Sequence, residues 1–323
     1  LETDPPRHRD LRNVCNKRFT VRGLQPYEDF IREIARGVLD RAFAKGECDF
    51  VLEVAKELPI RFLCAIFEVP QDDAPMLIDW GDAMIGNQDP EYSAAVVDQV
   101  DTEEFRLLPF RSPIARDVFA YGRRQRDLRL EEPQDDVINA LTIAQQEGIL
   151  TERDYDNYFS LLMIAGNETT RHTISHGMHA LMENPDQLRL LQEDPSLIPN
   201  AVEEILRWAT PVLHFRRTAT RDVELRGQRI RAGDKVVTWY ISANRDETMF
   251  PDPYRFDVRR NPNPHVTFGP GGPHFCLGAH LARLETRVLF QELLPRLASI
   301  EPTGPVERMR DRKSTRLNSS HRT

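Results

Sequence analysis

The chain has 323 residues, a formal net charge of −8 and an isoelectric point near 5.7. That length buries one large core or two small ones, and the acidic balance argues against nucleic acid as a partner. The four cysteines, Cys15, Cys48, Cys64 and Cys276, are scattered, which fits a reducing, cytoplasmic compartment without a disulfide framework, and no apolar run is long enough to span a membrane.

Asp4 to Arg12 opens a helix, with Asp4 as its expected cap and Pro5 and Pro6 in its first turn. His8 and Arg12, four apart, share a face of it. About Pro26 to Phe43 is an amphipathic helix with Phe30, Ile31, Ile34, Val38 and Leu39 on its apolar side. Further helices are predicted over about Val51 to Phe67 and Met76 to Ile85, with a break from Pro70 to Pro75. Ser93 to Leu130 reads as two helices interrupted near Pro109 and Pro113, and Pro133 to Asp136 starts another that runs through Ala144.

The longest predicted helix is Thr151 to Glu183. Thr151 and Asp154 make a capping-box-like start, and Asn184-Pro185 ends it. Tyr158, Phe159, Leu161, Leu162, Met163 and Ile164 are apolar on every side, so this helix is buried. Ala165-Gly166-Asn167-Glu168-Thr169-Thr170 then puts a glycine, an acid and two threonines at its middle, which are poor local choices. Such departures mark function or strain. Gly166 leaves room for a ligand against the backbone, and Thr169 can bond back to the carbonyl four residues earlier, bending the helix and opening a groove. Glu168, His172, His176 and His179 recur at helical spacing, so a metal site on that face is an alternative reading, although the order is not that of the zinc proteases.

Ala201 to Trp208 is helical, and Glu204 and Arg207 are spaced to pair. Arg226 to Val237 reads as a hairpin with a glycine turn followed by a strand. His265 to Arg283 then reads HVTFGPGGPHFCLGAHLAR. A glycine-proline loop delivers Cys276 to the mouth of the last predicted helix, about Leu277 to Leu297. The helix N-terminus offers unpaired N–H groups and partial positive charge, both of which favour thiolate. With no second cysteine nearby, a single thiolate suits a metal carried by its own macrocycle, and haem iron is the obvious candidate.

The stretch Phe268-Gly-x-Gly-Gly-x-His274-x-Cys276-x-Gly278 closely resembles the haem-binding loop of the cytochrome P450 family. Phe268 stands eight residues before Cys276, one more than is usual there. The longer loop resembles that of the bacterial group that oxidises sterol side chains and methyl-branched lipids. Ala165 to Arg171 and Arg260 to His265 resemble the same group. The resemblance implies a mainly α fold with small β-sheets and haem b as cofactor. Cys276 is then the axial thiolate, pushing electron density onto iron to favour O–O cleavage. Phe268 and Gly278 belong to the haem-binding loop. His8, Arg12, Arg217 and His274 are the implied propionate contacts, for which an arginine fork is suited. Glu168 and Thr169 resemble the acid–alcohol pair that delivers protons to dioxygen. Leu162, Ala165, Gly166, Val212 and Leu213 are the expected substrate contacts. The two helices expected over Ser93 to Leu130 form the lid of the substrate channel in the family. Glu204 and Arg207 resemble the family's Glu-x-x-Arg, and Arg255, in Pro-x-Arg-Phe, is expected to complete a buried triad that braces the cysteine loop.

A soluble monooxygenase domain is therefore expected over residues 1–309, read as lacking its N-terminal part and its last strands, since residue 1 is Leu. Residues 310–323 are basic and rich in Ser and Thr, and read as foreign sequence or a disordered terminus. The implied partners are dioxygen, a hydrophobic small molecule, and a ferredoxin with its NAD(P)H-dependent reductase, because no nucleotide-binding fingerprint is present. A basic patch of Arg7, Arg9, Lys17, Arg18, Arg283 and Arg287 is expected to steer that ferredoxin. A peroxide-driven haem enzyme and a non-catalytic helical binding protein are the alternatives.

Overall fold

A computed structural model describes residues 3–87, 89–93, 96, 101–304 and 306. The chain order is α1 (Arg7–Cys15), α2 (Val21–Leu24), α3 (Glu28–Lys45), α4 (Glu57–Ile66), α5 (Ala74–Ile85), α6 (Ala115–Glu131), α7 (Val137–Gln146), α8 (Glu152–Glu183), α9 (Pro185–Glu193), α10 (Ile198–Ala209), β1 (His214–Thr218), β2 (Val223–Leu225), β3 (Gln228–Ile230), β4 (Lys235–Trp239), α11 (Tyr240–Ala243) and α12 (Ala279–Leu293). The fold is mainly α with two small antiparallel sheets: β1 pairs with β4, and β2 with β3. The tail 310–323 lies outside the described residues.

The helix α8 is the axis. Thr151 caps it: the Thr151 hydroxyl accepts from Asp154 N–H, while the Asp154 carboxylate accepts from Thr151 N–H. Its apolar residues pack against α4, α5, α6, α7, α9, α10 and α12. Two helices approach it closely because glycines stand at the crossings. A Cβ at Gly177 would come within 2.7 Å of Ile205 on α10, and one at Gly122 within 2.8 Å of Phe159 on α8.

Two local expectations are corrected. Asp4 does not cap α1, because Pro6 holds the cap position without a side-chain bond; the Asp4 carboxylate lies 3.6 Å from His274 instead. The stretch Val51 to Phe67 is not one regular helix, because Val51–Ala55 forms a wider π-helical turn before α4. Of the two helices expected between Ser93 and Leu130, the described residues contain one, α6; residues 94, 95 and 97–100, where the other was expected, lie outside the described residues. Among the described residues before α6 are short turns at Glu103–Phe105 and Pro109–Arg111, where Phe110 takes a left-handed φ of 55° beside Pro109.

The core holds one carboxyl group at a cost. Glu285 of α12 is fully buried, with Thr170 of α8 as the side-chain contact that favours its anion, and burial pushes its pKa up to about 8. The folded chain therefore retains a proton that the unfolded chain releases near the ordinary glutamate value. Between those two values, folding stability falls as pH rises, by at most about 1.4 kcal/mol per pH unit. Glu285→Gln should flatten that slope and unfold at a higher temperature than the parent at pH 8, with a smaller gain at pH 5. Parallel melting curves across pH would show the group to be ionised in the fold.

Candidate active site

The site is built on a coil, residues 244–278, between α11 and α12. A buried ion cluster anchors it. Arg207 donates to both oxygens of Glu204 at 2.7 and 2.8 Å, and to the carbonyls of Asn244 and Pro253 at 2.8 Å each. The third charged member is Arg260, whose Nε lies 3.2 Å from Glu204 Oε2. Arg255 was expected in that role, but its side chain is exposed and only its carbonyl takes part, accepting from Arg207 and Arg260. The reason is the turn at Asp252, where φ is 48° and Arg255 N–H donates back to Asp252 O; the turn aims the Arg255 carbonyl at the cluster.

From the cluster, hydrogen bonds lead to the cysteine. Asn244 donates to the Thr267 hydroxyl at 3.0 Å and accepts from Val266 N–H at 2.8 Å, and Thr267 donates to Leu206 O on α10. Phe268 O then accepts from Cys276 N–H at 2.9 Å, closing the loop. Gly269, Gly271 and Gly272 all take positive φ, which the tight turn requires. Gly278 caps α12, and its N–H donates to the Cys276 sulfur.

Cys276 is reachable by solvent although protein crowds around it. Burial pushes its thiol upward, against the Gly278 N–H and the charges of Arg12 and Arg283, which favour thiolate. The sequence expectation that the site by itself favours thiolate is thus reversed; a cation on the sulfur would supply the missing stabilisation. Beside it, the rings of His8 and His274 meet at a tilt of 42° with centroids 4.2 Å apart. Burial, then His274 and Arg12, push the His8 pKa down; Asp4 opposes them. His8 Nδ1 is buried with no hydrogen-bond partner. Arg217 is exposed on β1, within electrostatic reach of Tyr240, whose hydroxyl neighbours Gly269. The Arg12 guanidinium, an orphaned imidazole nitrogen, an accessible thiol and open space where a Cβ of Gly278 would stand fit a macrocycle carrying carboxylates.

On α8 the residues Leu161, Ala165 and Thr169, spaced by one turn, form an accessible stripe on an otherwise buried helix. Leu161 is 44% exposed. The neighbouring Leu162, expected in the pocket, is 9% exposed and belongs to the core. Gly166 likewise turns its missing Cβ toward Leu63 of α4, 3.4 Å away. Val212 and Leu213 are half-buried just before β1. Thr169 Oγ1 donates to Ala165 O at 2.9 Å.

Glu168 is buried on the other side, under α5, where a Cβ on Gly81 would come within 3.3 Å of its Oε1. It accepts a very short bond from Arg171 and lies 3.6 Å from His172. Arg171 also pairs with Asp82 at 2.7 Å, and Asp82 with Lys56 at 2.6 Å. Among the described residues no three His, Cys, Asp or Glu side chains converge as metal ligands, so the helical Glu168–His179 spacing does not become a metal centre. Sequence reasoning missed Lys56, Asp82 and Arg260 because each meets its partner across a long chain separation. The expected basic patch is also largely consumed: Arg7, Arg18, Arg283 and Arg287 pair with Asp154, Asp135, Glu203 and Glu28, leaving Arg9 and Lys17 exposed.

A family model described as Cytochrome P450 matches residues 110–318. A methyl-branched lipid omega-hydroxylase of Mycobacterium tuberculosis is 40% identical over 311 residues, 95% of this chain and 70% of that protein. A steroid C26-monooxygenase of Mycolicibacterium smegmatis is 38% identical, over 96% of this chain and 69% of that protein. Among solved structures, a Mycobacterium marinum cytochrome P450 in complex with pseudoionone superposes with a TM-score of 0.89 at 41% identity, covering 98% of this chain and 74% of its own. No helix among the described residues is long and apolar enough to cross a membrane.

Because Arg260 rather than Arg255 supplies the third charge, Arg260→Ala should cost about 2 kcal/mol in urea unfolding. Arg255→Ala should stay within about 0.5 kcal/mol of the parent. Equal costs would remove Arg260 from the cluster.

Proposed function

The chain belongs to the cytochrome P450 family, and on that basis we propose that it hydroxylates a methyl-branched lipid or a sterol side chain, with electrons from a ferredoxin. The family's activity is that of a monooxygenase, an oxidoreductase. The overall balance consumes substrate, dioxygen, two electrons and two protons, and yields one alcohol and one water. The observation that carries the reading is the accessible Cys276 thiol beside Arg12 and the paired imidazoles of His8 and His274.

Haem, when bound through Cys276, supplies dioxygen reduction and insertion of oxygen into a C–H bond. The chain's own residues hold and orient. Cys276 would hold the iron, and Gly278 N–H steadies its sulfur. His8, Arg12 and His274, with Arg217 from β1, would hold the propionates. Thr169 already donates its proton to Ala165 O, so its oxygen is left to accept a hydrogen bond from the open stripe. Glu168, held by Arg171, supplies protons from the opposite side of α8 by releasing that pairing. Leu161 and Ala165, with Val212 and Leu213, give substrate an apolar wall that excludes water.

The lipid or sterol assignment is supported by the relatives and by this wall. The ferredoxin and its reductase are supported by the lack of any Gly-x-Gly-x-x-Gly strand–turn–helix in the sequence. Cytoplasmic placement is supported by the four cysteines, all unpaired.

Two measurements test the reading. In the reduced, CO-bound state, Cys276→Ser should lose the thiolate-type absorption band, whereas serine at Cys15, Cys48 or Cys64 should leave it intact. A band that persists in Cys276→Ser would remove the cysteine from the iron. Sterol ketones and methyl-branched fatty chains should shift the haem spectrum toward high spin more strongly than small polar aromatics do, and the reverse order would refute the lipid assignment.

A further inference from the structure

Two adjacent glutamates on α10 face different partners. Glu204 turns into the buried cluster, while Glu203 turns toward α12. There Arg283 grips it with a two-pronged fork, Nε to Oε1 at 2.7 Å and Nη2 to Oε2 at 2.9 Å. His265 Nε2 lies 3.0 Å from the same carboxylate. Burial would push the Glu203 pKa up, but the bonds from His265 and Arg283 outweigh it and hold the group down at about 2, so it stays anionic.

The Arg283 guanidinium is laid over the Phe268 ring, 4.5 Å from its centroid. Phe268 is the residue whose carbonyl holds Cys276 N–H, and Arg283 stands about one turn into α12. The charge of Arg283 also reaches the Cys276 sulfur. A single guanidinium therefore touches the ring that shapes the cysteine loop and bears electrostatically on the thiol. Its charge is balanced by one half-buried carboxylate on another helix. A residue serving only as a surface cation for a protein partner would need neither the fork nor the ring.

We infer that Arg283, clamped by Glu203 and seated on Phe268, is a positioning residue that sets the reduction potential of the iron bound to Cys276. This rests on the reading of Cys276 as the haem ligand. Reduction adds one negative charge to the site, so a nearby positive charge favours the ferrous form and a nearby negative charge opposes it. Removing the two partners must then shift the potential in opposite directions. A purely structural brace behaves differently, because losing either partner would loosen the same ring and move the potential the same way.

The test is a dye-mediated spectroelectrochemical titration of the haem-loaded full chain. Arg283→Gln should lower the midpoint potential, Glu203→Gln should raise it, and the double variant should return close to the parent. Arg283→Lys, which keeps charge but loses the fork, should fall less than Arg283→Gln. Single variants that shift together, or that do not shift, would overturn the inference. If Arg283→Gln fails to take up haem, Glu203→Gln decides alone: a rise supports the inference, and a fall or no change overturns it. The CO-bound parent spectrum separates the two levels. A parent without the thiolate-type band defeats the ligand assignment itself, whereas a parent with the band and unmoved potentials defeats only the role of Glu203 and Arg283.

Discussion

The buried pairing of Glu204 with Arg207 and Arg260 is the interaction on which the site depends. Residues 244–278 contain no helix or strand, yet they must deliver one sulfur atom to a fixed place. Irregular segments of this length in a compact domain are ordinarily mobile or functional. Here a charge cluster replaces secondary structure. Two guanidinium groups converge on one carboxylate with no exposure, and the remaining N–H donors of Arg207 are taken by the carbonyls of Asn244, Pro253 and Arg255. A buried ion pair is a weak source of net stability, but removing one partner strands a charge. Any alternative path of the coil would do so. The cluster therefore selects one conformation rather than strengthening the fold in general.

What was readable in the sequence follows the range of the interactions involved. The capping box of α8, the Glu204–Arg207 pair, the glycine turn between β2 and β3 and the bond from Thr169 to Ala165 all lie within four residues, and local spacing announced them. The face of α8 was not readable, because a helix apolar on every side does not say which residue is uncovered. A step of one residue turns the side chain by about 100°, and that is the difference between Leu161 and Leu162. Arg255 and Arg260 were confused for a related reason. The positive φ at Asp252 reverses the chain and exchanges side chain for carbonyl, which spacing cannot reveal. Four of the six cations expected in the docking patch are paired because a count of cations ignores their partners, and carboxylates distant in sequence hold them.

The division of labour around α8 also bears on proton supply. Glu168 and Thr169 are adjacent, so their side chains leave the helix about 100° apart. Thr169 stands on the accessible stripe, while Glu168 is buried among Arg171, Asp82 and Lys56 under α5. That row alternates in sign, acid to base to acid to base, and is least buried at Lys56, whose side chain is 12% exposed. The helix thus separates an acid stored among charges from an alcohol presented to the apolar side. Transfer between them requires the Glu168 side chain to leave Arg171. The acid is held on the α5 side by Arg171, so in the proposed mechanism proton supply would be coupled to the packing of α5 on α8.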